Sequence, residues 1–136
     1  MNNKKLFEKF NEGLAATAQS ASEWFIESSI KKSREDYESR GKLGDNGEGA
    51  VYAYIGRNNK IIYIGETSRN IKARQHDQKS PHKKQKWWKD WSEIRFLEVC
   101  DRTDRITLEL LLILYLNPRE NTKPGYRKIS NMFKGG

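Results

Sequence analysis

Glu109 is the one charge in the run Ile106-Thr-Leu-Glu-Leu-Leu-Leu-Ile-Leu-Tyr-Leu116. Apolar almost all round, this stretch predicts a core helix, and an unpaired carboxylate buried in it would be costly. Glu109 therefore requires a cation, a metal or a proton. Taken alone, a structural Glu–Arg pair is the favoured reading. The second group of interest is Tyr52, Tyr54 and Tyr63, because a phenol can donate or accept a proton and a neighbouring cation lowers its pKa. Packing accounts for Tyr54, whereas the surroundings of Tyr52 and Tyr63 leave room for chemistry.

Residues 50–65 decide how these tyrosines are presented. Two β-rich runs flank Asn58-Asn59, and asparagine tolerates the left-handed conformation of a tight hairpin turn. A turn centred there pairs Tyr54 with Tyr63 and Tyr52 with Gly65. Side chains alternate along a strand, so Val51, Ala53, Ile55, Ile62 and Ile64 would share one face and the tyrosines the other. A slip of one residue would mix the two sets, so the pattern itself fixes the register. Gly65, opposite Tyr52, would leave the sheet bare beside that ring and make space for a substrate group.

The flanking elements follow from periodicity and caps. Residues 4–38 read as helix, with Phe7, Phe10, Leu14, Ala18, Ala21 and Phe25 recurring on one face. Gly13 is a point where it could divide, and Trp24 and Ile30, off the stripe, predict a second buried face. The glycine-rich stretch Gly41–Gly49 reads as a linker. A helix is expected from about Asn70 to Lys79, a basic loop over Ser80–Lys86, a short helical turn over Trp87–Trp91 and a third strand over Glu93–Val99. Thr103 is the expected N-cap of the last helix, which Pro118 ends.

The 136 residues suit one compact domain plus an appendage, and four Trp, six Tyr and five Phe can supply a dense small core. The single cysteine, Cys100, excludes an internal disulfide framework and a cysteine-cluster zinc site, and fits a reducing cytoplasm. Glu8 and Glu12 interrupt the place where a secretory signal would be apolar, and Leu110–Leu116 is too short to span a bilayer, so a soluble, non-membrane protein is expected. The net charge of +8 is unevenly spread: residues 1–48 carry 8 Lys/Arg against 9 Asp/Glu, and residues 49–136 carry 18 against 9. A polyanionic partner should therefore dock on the later part.

Val51-Tyr52, then Tyr63-Ile-Gly65 eleven residues on, Arg74 on the following helix, Glu109 on a later one and Asn121 twelve residues beyond it together resemble the GIY-YIG nuclease family. The ending Asn117-Pro-Arg-Glu-Asn121 is similar to the Pro-Arg-Tyr-Asn of the bacterial excision-repair nuclease domain, with the same glutamate-to-asparagine spacing. The resemblance spans about residues 50–122. It implies an α+β fold with a small three-stranded antiparallel sheet flanked by helices over residues 49–136, residues 1–48 being an N-terminal helical extension and linker. It further implies an endonuclease with one divalent metal, Mg²⁺ or Mn²⁺ in its place, that hydrolyses nucleic acid, DNA ahead of RNA, to 5′-phosphate and 3′-hydroxyl ends. Tyr52 would be the general base or would orient the attacking water. Tyr63 would hold a scissile phosphate oxygen or the metal's water, Arg74 would neutralise charge on the pentavalent phosphorus, Glu109 would bind the metal, and Asn121 would position these groups.

The chain departs from the family in several places. Ala50 replaces the first glycine of the name motif. Glu66 stands where the repair nucleases have lysine, which removes any proton relay through that lysine, and Gln78 stands where several members carry His or Tyr. His76 and His82 are expected to be surface or phosphate-contacting residues. Lys79, Lys83, Lys84, Lys86 and Lys89, with Arg69, form a candidate phosphate-backbone track. Of Trp87, Trp88 and Trp91, which could stack on bases, at least two are expected to pack in the core. A catalytically inactive nucleic-acid-binding module on the same fold is the alternative, and residues 1–40 suit a homodimer contact or a protein partner.

Overall fold

The helix expected over residues 4–38 stops at Ser28. The computed structural model describes residues 2–38, 49–69 and 81–123, and it places helix α1 at Asn3–Ser28, capped by the Asn2 side chain on the Lys5 amide. Gly13 does not divide it. At Ser29 the backbone turns extended, and Ile30–Ser33 forms strand β1. A short helix α2, Arg34–Glu38, follows. Strand pairing overrides the helical pattern here: β1 lies against β4 (Glu93–Glu98), Ile30 opposite Phe96 and Ser33 opposite Glu93, and so covers backbone groups that β4 would otherwise leave open at an edge. An ion pair between Lys31 and Glu93, 3.2 Å long, adds to the seam.

Strands β2 (Ala50–Ile55) and β3 (Ile61–Thr67) form the expected hairpin. Asn58 and Asn59 both adopt positive φ, 60° and 57°, the twist that a tight hairpin needs. Tyr54 faces Tyr63 and Tyr52 faces Gly65, in the predicted register. Near the turn the register shifts, with Ile55 opposite Ile61. Ile62 is thereby an extra residue on its strand, and such a bulge reverses the face on which its neighbours point. Ile62 packs with Tyr52 and Tyr54, not with Ile64 as strict alternation predicts, and Ile61 takes the other face. Among the described residues the antiparallel sheet has four strands in the order β1-β4-β2-β3, one more than expected, and the added strand comes from the segment before residue 49.

The two faces have different covers. Val51, Ala53 and Ile64 pack on Phe25 of α1 and on Leu108, Leu112 and Ile113 of α3, which spans Arg102–Leu116. The other face carries an aromatic layer of Tyr37, Tyr52, Tyr54, Trp87, Trp91 and Phe96. Each fully buried ring of this kind contributes roughly 1.5–3 kcal/mol relative to exposure. Arg34 ties α2 to this layer: its guanidinium lies 4.4 Å from the Trp91 ring centre and donates to the carbonyls of Trp88 and Trp91. Trp87 and Trp91 are core residues; the short helical turn expected there is a 3₁₀ turn over Lys86–Asp90, and Trp91 follows it in extended backbone.

Three local expectations are corrected. Asp101, not Thr103, caps α3, accepting from the Asp104 amide; this starts the helix earlier and sets a negative charge at its positive end. Trp24 and Ile30 stay about half exposed, as do Phe7 and Phe10, so α1 buries only its later part, at Ala18, Ser22 and Phe25. Ile106, Leu110 and Tyr115 are also partly exposed, so α3 is covered on one side, not all round. No helix among the described residues is long and apolar enough to cross a membrane.

Candidate active site

Helix α3 ends at Asn117 in the left-handed conformation, which turns the chain back along the outer edge of β3. There the amides of Arg119 and Glu120 donate to the carbonyls of Ile61 and Ile62. Asn121 continues the ladder with its side chain: Oδ1 accepts from the Ile64 amide at 2.9 Å and Nδ2 donates to the Ile64 carbonyl at 2.8 Å. One buried carboxamide thus stands in for a strand residue, and fixes the returning segment against the residue between Tyr63 and Gly65.

This docking creates a hollow of about 270 Å³ lined by Tyr63, Ile64, Glu109, Glu120, Asn121 and Lys123. Tyr63, Glu109 and Asn121, distant in sequence, meet in it. Glu109 is half-buried, not fully buried as its helix suggested. Its carboxyl pKa is raised to about 7, chiefly by burial and then by the Glu66 carboxylate, with Lys123 and a hydrogen bond from the Glu66 amide opposing. A neighbouring carboxylate and a desolvated pocket are the two conditions that favour a proton or a cation on this group.

Glu66 is the link that the sequence did not disclose. Its amide bonds Glu109, and its carboxylate takes a 2.9 Å bond from Nε of Arg105. Arg105 and Glu109 sit one turn apart on one face of α3, so a single β3 residue grips that helix twice. Arg105 also donates to the carbonyls of Val99 and Cys100 at 3.1 and 2.7 Å. Gly49, at φ 119°, leaves room for it; a Cβ there would stand 2.5 Å from the guanidinium. A structural Glu–Arg pair exists one turn away, as Arg105–Glu66, and among the described residues no arginine forms an ion pair with Glu109.

Tyr52 is buried, and its ring lies across Gly65: a Cβ on Gly65 would be 2.5 Å from the phenol oxygen. The space opposite Tyr52 is filled by that ring itself, not left for a substrate group, because an aromatic cross-strand neighbour covers a bare glycine. The phenol oxygen stands 2.8 Å from Nε2 of His82. His82, expected to be a surface or phosphate-contacting residue, is not at the surface: it is buried among Tyr52, Tyr54, Tyr63 and Trp87, its ring centre 4.7 Å from that of Tyr63. Pro81, which starts the 3₁₀ turn Pro81–Lys84, is the only local sign of order in that basic stretch, and nothing in its composition marks one histidine as inward.

Arg74, Lys79, His76 and Gln78 lie outside the described residues. Arg69, Lys84, Lys86 and Lys89 are exposed and Lys83 half-buried, in keeping with side chains that meet a polyanion from solvent. Among the described residues no cluster of three or more His, Cys, Asp or Glu forms a protein-only metal cage. A single carboxylate suits Mg²⁺ all the same, since that ion binds through one or two carboxylates together with substrate phosphate and water, and a cation would offset the unfavourable ionisation of Glu109.

No curated protein and no solved structure matched the chain. The model of the GIY-YIG catalytic domain matches residues 48–123, the stretch that holds the hairpin, the Glu66–Glu109 contact and the Asn121 clamp. With more than half of its length matched, the chain belongs to the GIY-YIG family of nuclease catalytic domains.

Proposed function

We propose that the protein is an endonuclease that hydrolyses phosphodiester bonds, with DNA as its substrate and 5′-phosphate and 3′-hydroxyl ends as products. The observation that carries this reading is the meeting of Tyr63, Glu109 and Asn121 in one hollow, behind which Tyr52 and His82 share a hydrogen bond. Nucleases of this family are generally dependent on a divalent metal, and Glu109 is the residue that would hold one Mg²⁺ or Mn²⁺ ion. When bound, the ion supplies Lewis-acid polarisation of the phosphate and offsets charge on the leaving oxygen.

The chain's own groups supply the rest. Tyr63 borders the hollow, and its phenol would hold a phosphate oxygen or the attacking water. As water attacks phosphorus, a P–O bond forms, the P–O3′ bond breaks, and the released 3′ oxygen takes a proton from solvent. The water's own proton passes to the Tyr52–His82 pair, in which the imidazole accepts from the phenol and gives its oxygen more anionic character. Arg74 neutralises charge on the pentavalent phosphorus; its place in the order of motifs supports this. Asn121 keeps β3 and the returning segment in register.

Labelled plasmid, single-stranded DNA and RNA, each with Mg²⁺ or EDTA, beside a Glu109→Ala variant, test the reading. Cleavage of DNA that needs both the metal and Glu109 is expected. Cleavage that survives the chelator and the mutation would refute the mechanism, and binding without cleavage would establish the inactive-module alternative.

A further inference from the structure

We propose that a second hollow, at the turn of the β2–β3 hairpin, docks the sugar–phosphate backbone of the substrate strand next to the phosphate that is cut. The inference rests on the nuclease reading for the identity of the strand. The hollow measures about 460 Å³, and Arg57, Asn58, Lys60, Lys89, Asp90 and Arg119 border it. Its one carboxylate is already engaged: Asp90 accepts from Arg119 at 2.8 Å, and Arg119 also bonds Glu120 at 2.9 Å. Among the described residues, no carboxylate lies within ion-pair distance of Arg57, Lys60 or Lys89. Three like charges held around an open concavity repel one another, and an anion placed among them relieves that repulsion.

Position argues for a chain of phosphates over an isolated anion. Ile62 and Arg119 border this hollow, while Tyr63, Ile64 and residues 120–123 border the one that holds Glu109. The two hollows therefore follow each other along β3 and the segment bonded to its edge. At about 3.3 Å of rise per residue, they are offset along β3 by on the order of 7–10 Å, a step that one strand spans with neighbouring backbone groups. The lining also favours backbone over base. Arg57, Lys60 and Lys89 are exposed cations on flexible stems, which fix position and carry little sequence information. Arg57, Lys60 and Arg119 thus extend to the hairpin the basic track that Lys83–Lys89 begin.

The test uses the full chain carrying Glu109→Gln, so that binding is read without cleavage. Anisotropy of a labelled DNA oligonucleotide is followed against salt, with and without the pair Arg57→Glu and Lys60→Glu. The pair is expected to weaken binding tenfold or more and to lower the slope of log K against log salt by about 1–2. A control pair of equal charge change, Lys4→Glu and Lys9→Glu on α1, is expected to shift binding far less; an equal loss would overturn the docking site in favour of net charge alone. Displacement of the oligonucleotide by inorganic phosphate, beyond that by chloride at the same ionic strength, would overturn it in favour of a free-anion site. In the chain with Glu109 intact, the hairpin pair should act mainly on KM. DNA bound through the hairpin but never cut would sink the nuclease reading and leave the docking site standing. Cleavage with unchanged KM would do the reverse.

Discussion

Tyr52 and His82 are joined by a 2.8 Å hydrogen bond between the phenol oxygen and Nε2, and the absence of a side chain on Gly65 is what allows the phenol to reach. A Cβ at that position would lie 2.5 Å from the phenol oxygen and 2.6 Å from Cζ, too close for the ring to stay. Gly65→Ala is therefore expected to leave the fold intact, at an overpacking penalty of about 1–3 kcal/mol, while moving Tyr52 off His82. Plasmid cleavage should fall at least 100-fold, a loss of the size that general acid–base groups supply. Circular dichroism and a nicking assay on the same sample check both halves, and cleavage at the parent rate would remove Tyr52 from the reaction.

If the two groups act as one proton acceptor, their losses should not add. Tyr52→Phe and His82→Phe are each expected to slow cleavage by about 10²–10⁴, and the double variant should be little slower than the worse single one. The comparison is a double-mutant cycle on kcat. Multiplied losses would show that His82 supports the aromatic layer and takes no part in the proton's route.

Glu109 links pH, stability and metal. Its folded pKa of about 7 lies above the ordinary 4.5, so the folded chain holds this proton more tightly than the unfolded chain. The penalty for ionising Glu109 is absent below pH 4.5, grows between 4.5 and 7, and is complete above. After discounting for partial exposure, it amounts to roughly 1–2 kcal/mol. Without metal, Glu109→Gln should therefore be more stable than the parent by that amount at pH 8 and lose this advantage towards pH 4, as urea titrations will show. The same variant should be inactive. Protons and metal compete for the carboxylate, so in the parent chain the Mg²⁺ concentration for half-maximal cleavage should rise by about tenfold per pH unit below 7.

Legibility in the sequence followed the range of the interactions involved. The hairpin register was readable because alternation and the two asparagines are local, and the structure reproduces the pairs Tyr54–Tyr63 and Tyr52–Gly65. Glu109 was conspicuous because a lone charge in an apolar run is costly wherever it lies. The bulge at Ile62, the edge strand Ile30–Ser33 and the inward turn of His82 were not readable. Each is decided by a surface that another segment offers: the returning chain at 119–121, the open side of β4, and the aromatic pocket under Trp87. In the sequence Glu66 stands out only for the lysine it replaces. Its grip on Arg105 and Glu109 depends on how β3 meets α3, and no spacing in the sequence encodes that.

The Glu66 grip leads to a last expectation. Arg105 is buried and satisfies three acceptors, the carboxylate of Glu66 and the carbonyls of Val99 and Cys100. Arg105→Met would leave Glu66 without its cation beside Glu109, and a partly buried carboxylate left so costs about 2–4 kcal/mol. The freed charge would also raise the Glu109 pKa further, so the cleavage profile should move to higher pH. Glu66→Gln acts in the opposite sense on Glu109: it removes the repelling carboxylate but keeps the backbone amide that bonds Glu109. Its profile should move to lower pH, with less Mg²⁺ needed at pH 6. Opposite displacements of the two profiles, measured beside urea stabilities, identify the Glu66 carboxylate as the charge that adds to burial in raising the Glu109 pKa. Displacements in the same direction would mean that Arg105 and Glu66 only hold α3 against the sheet.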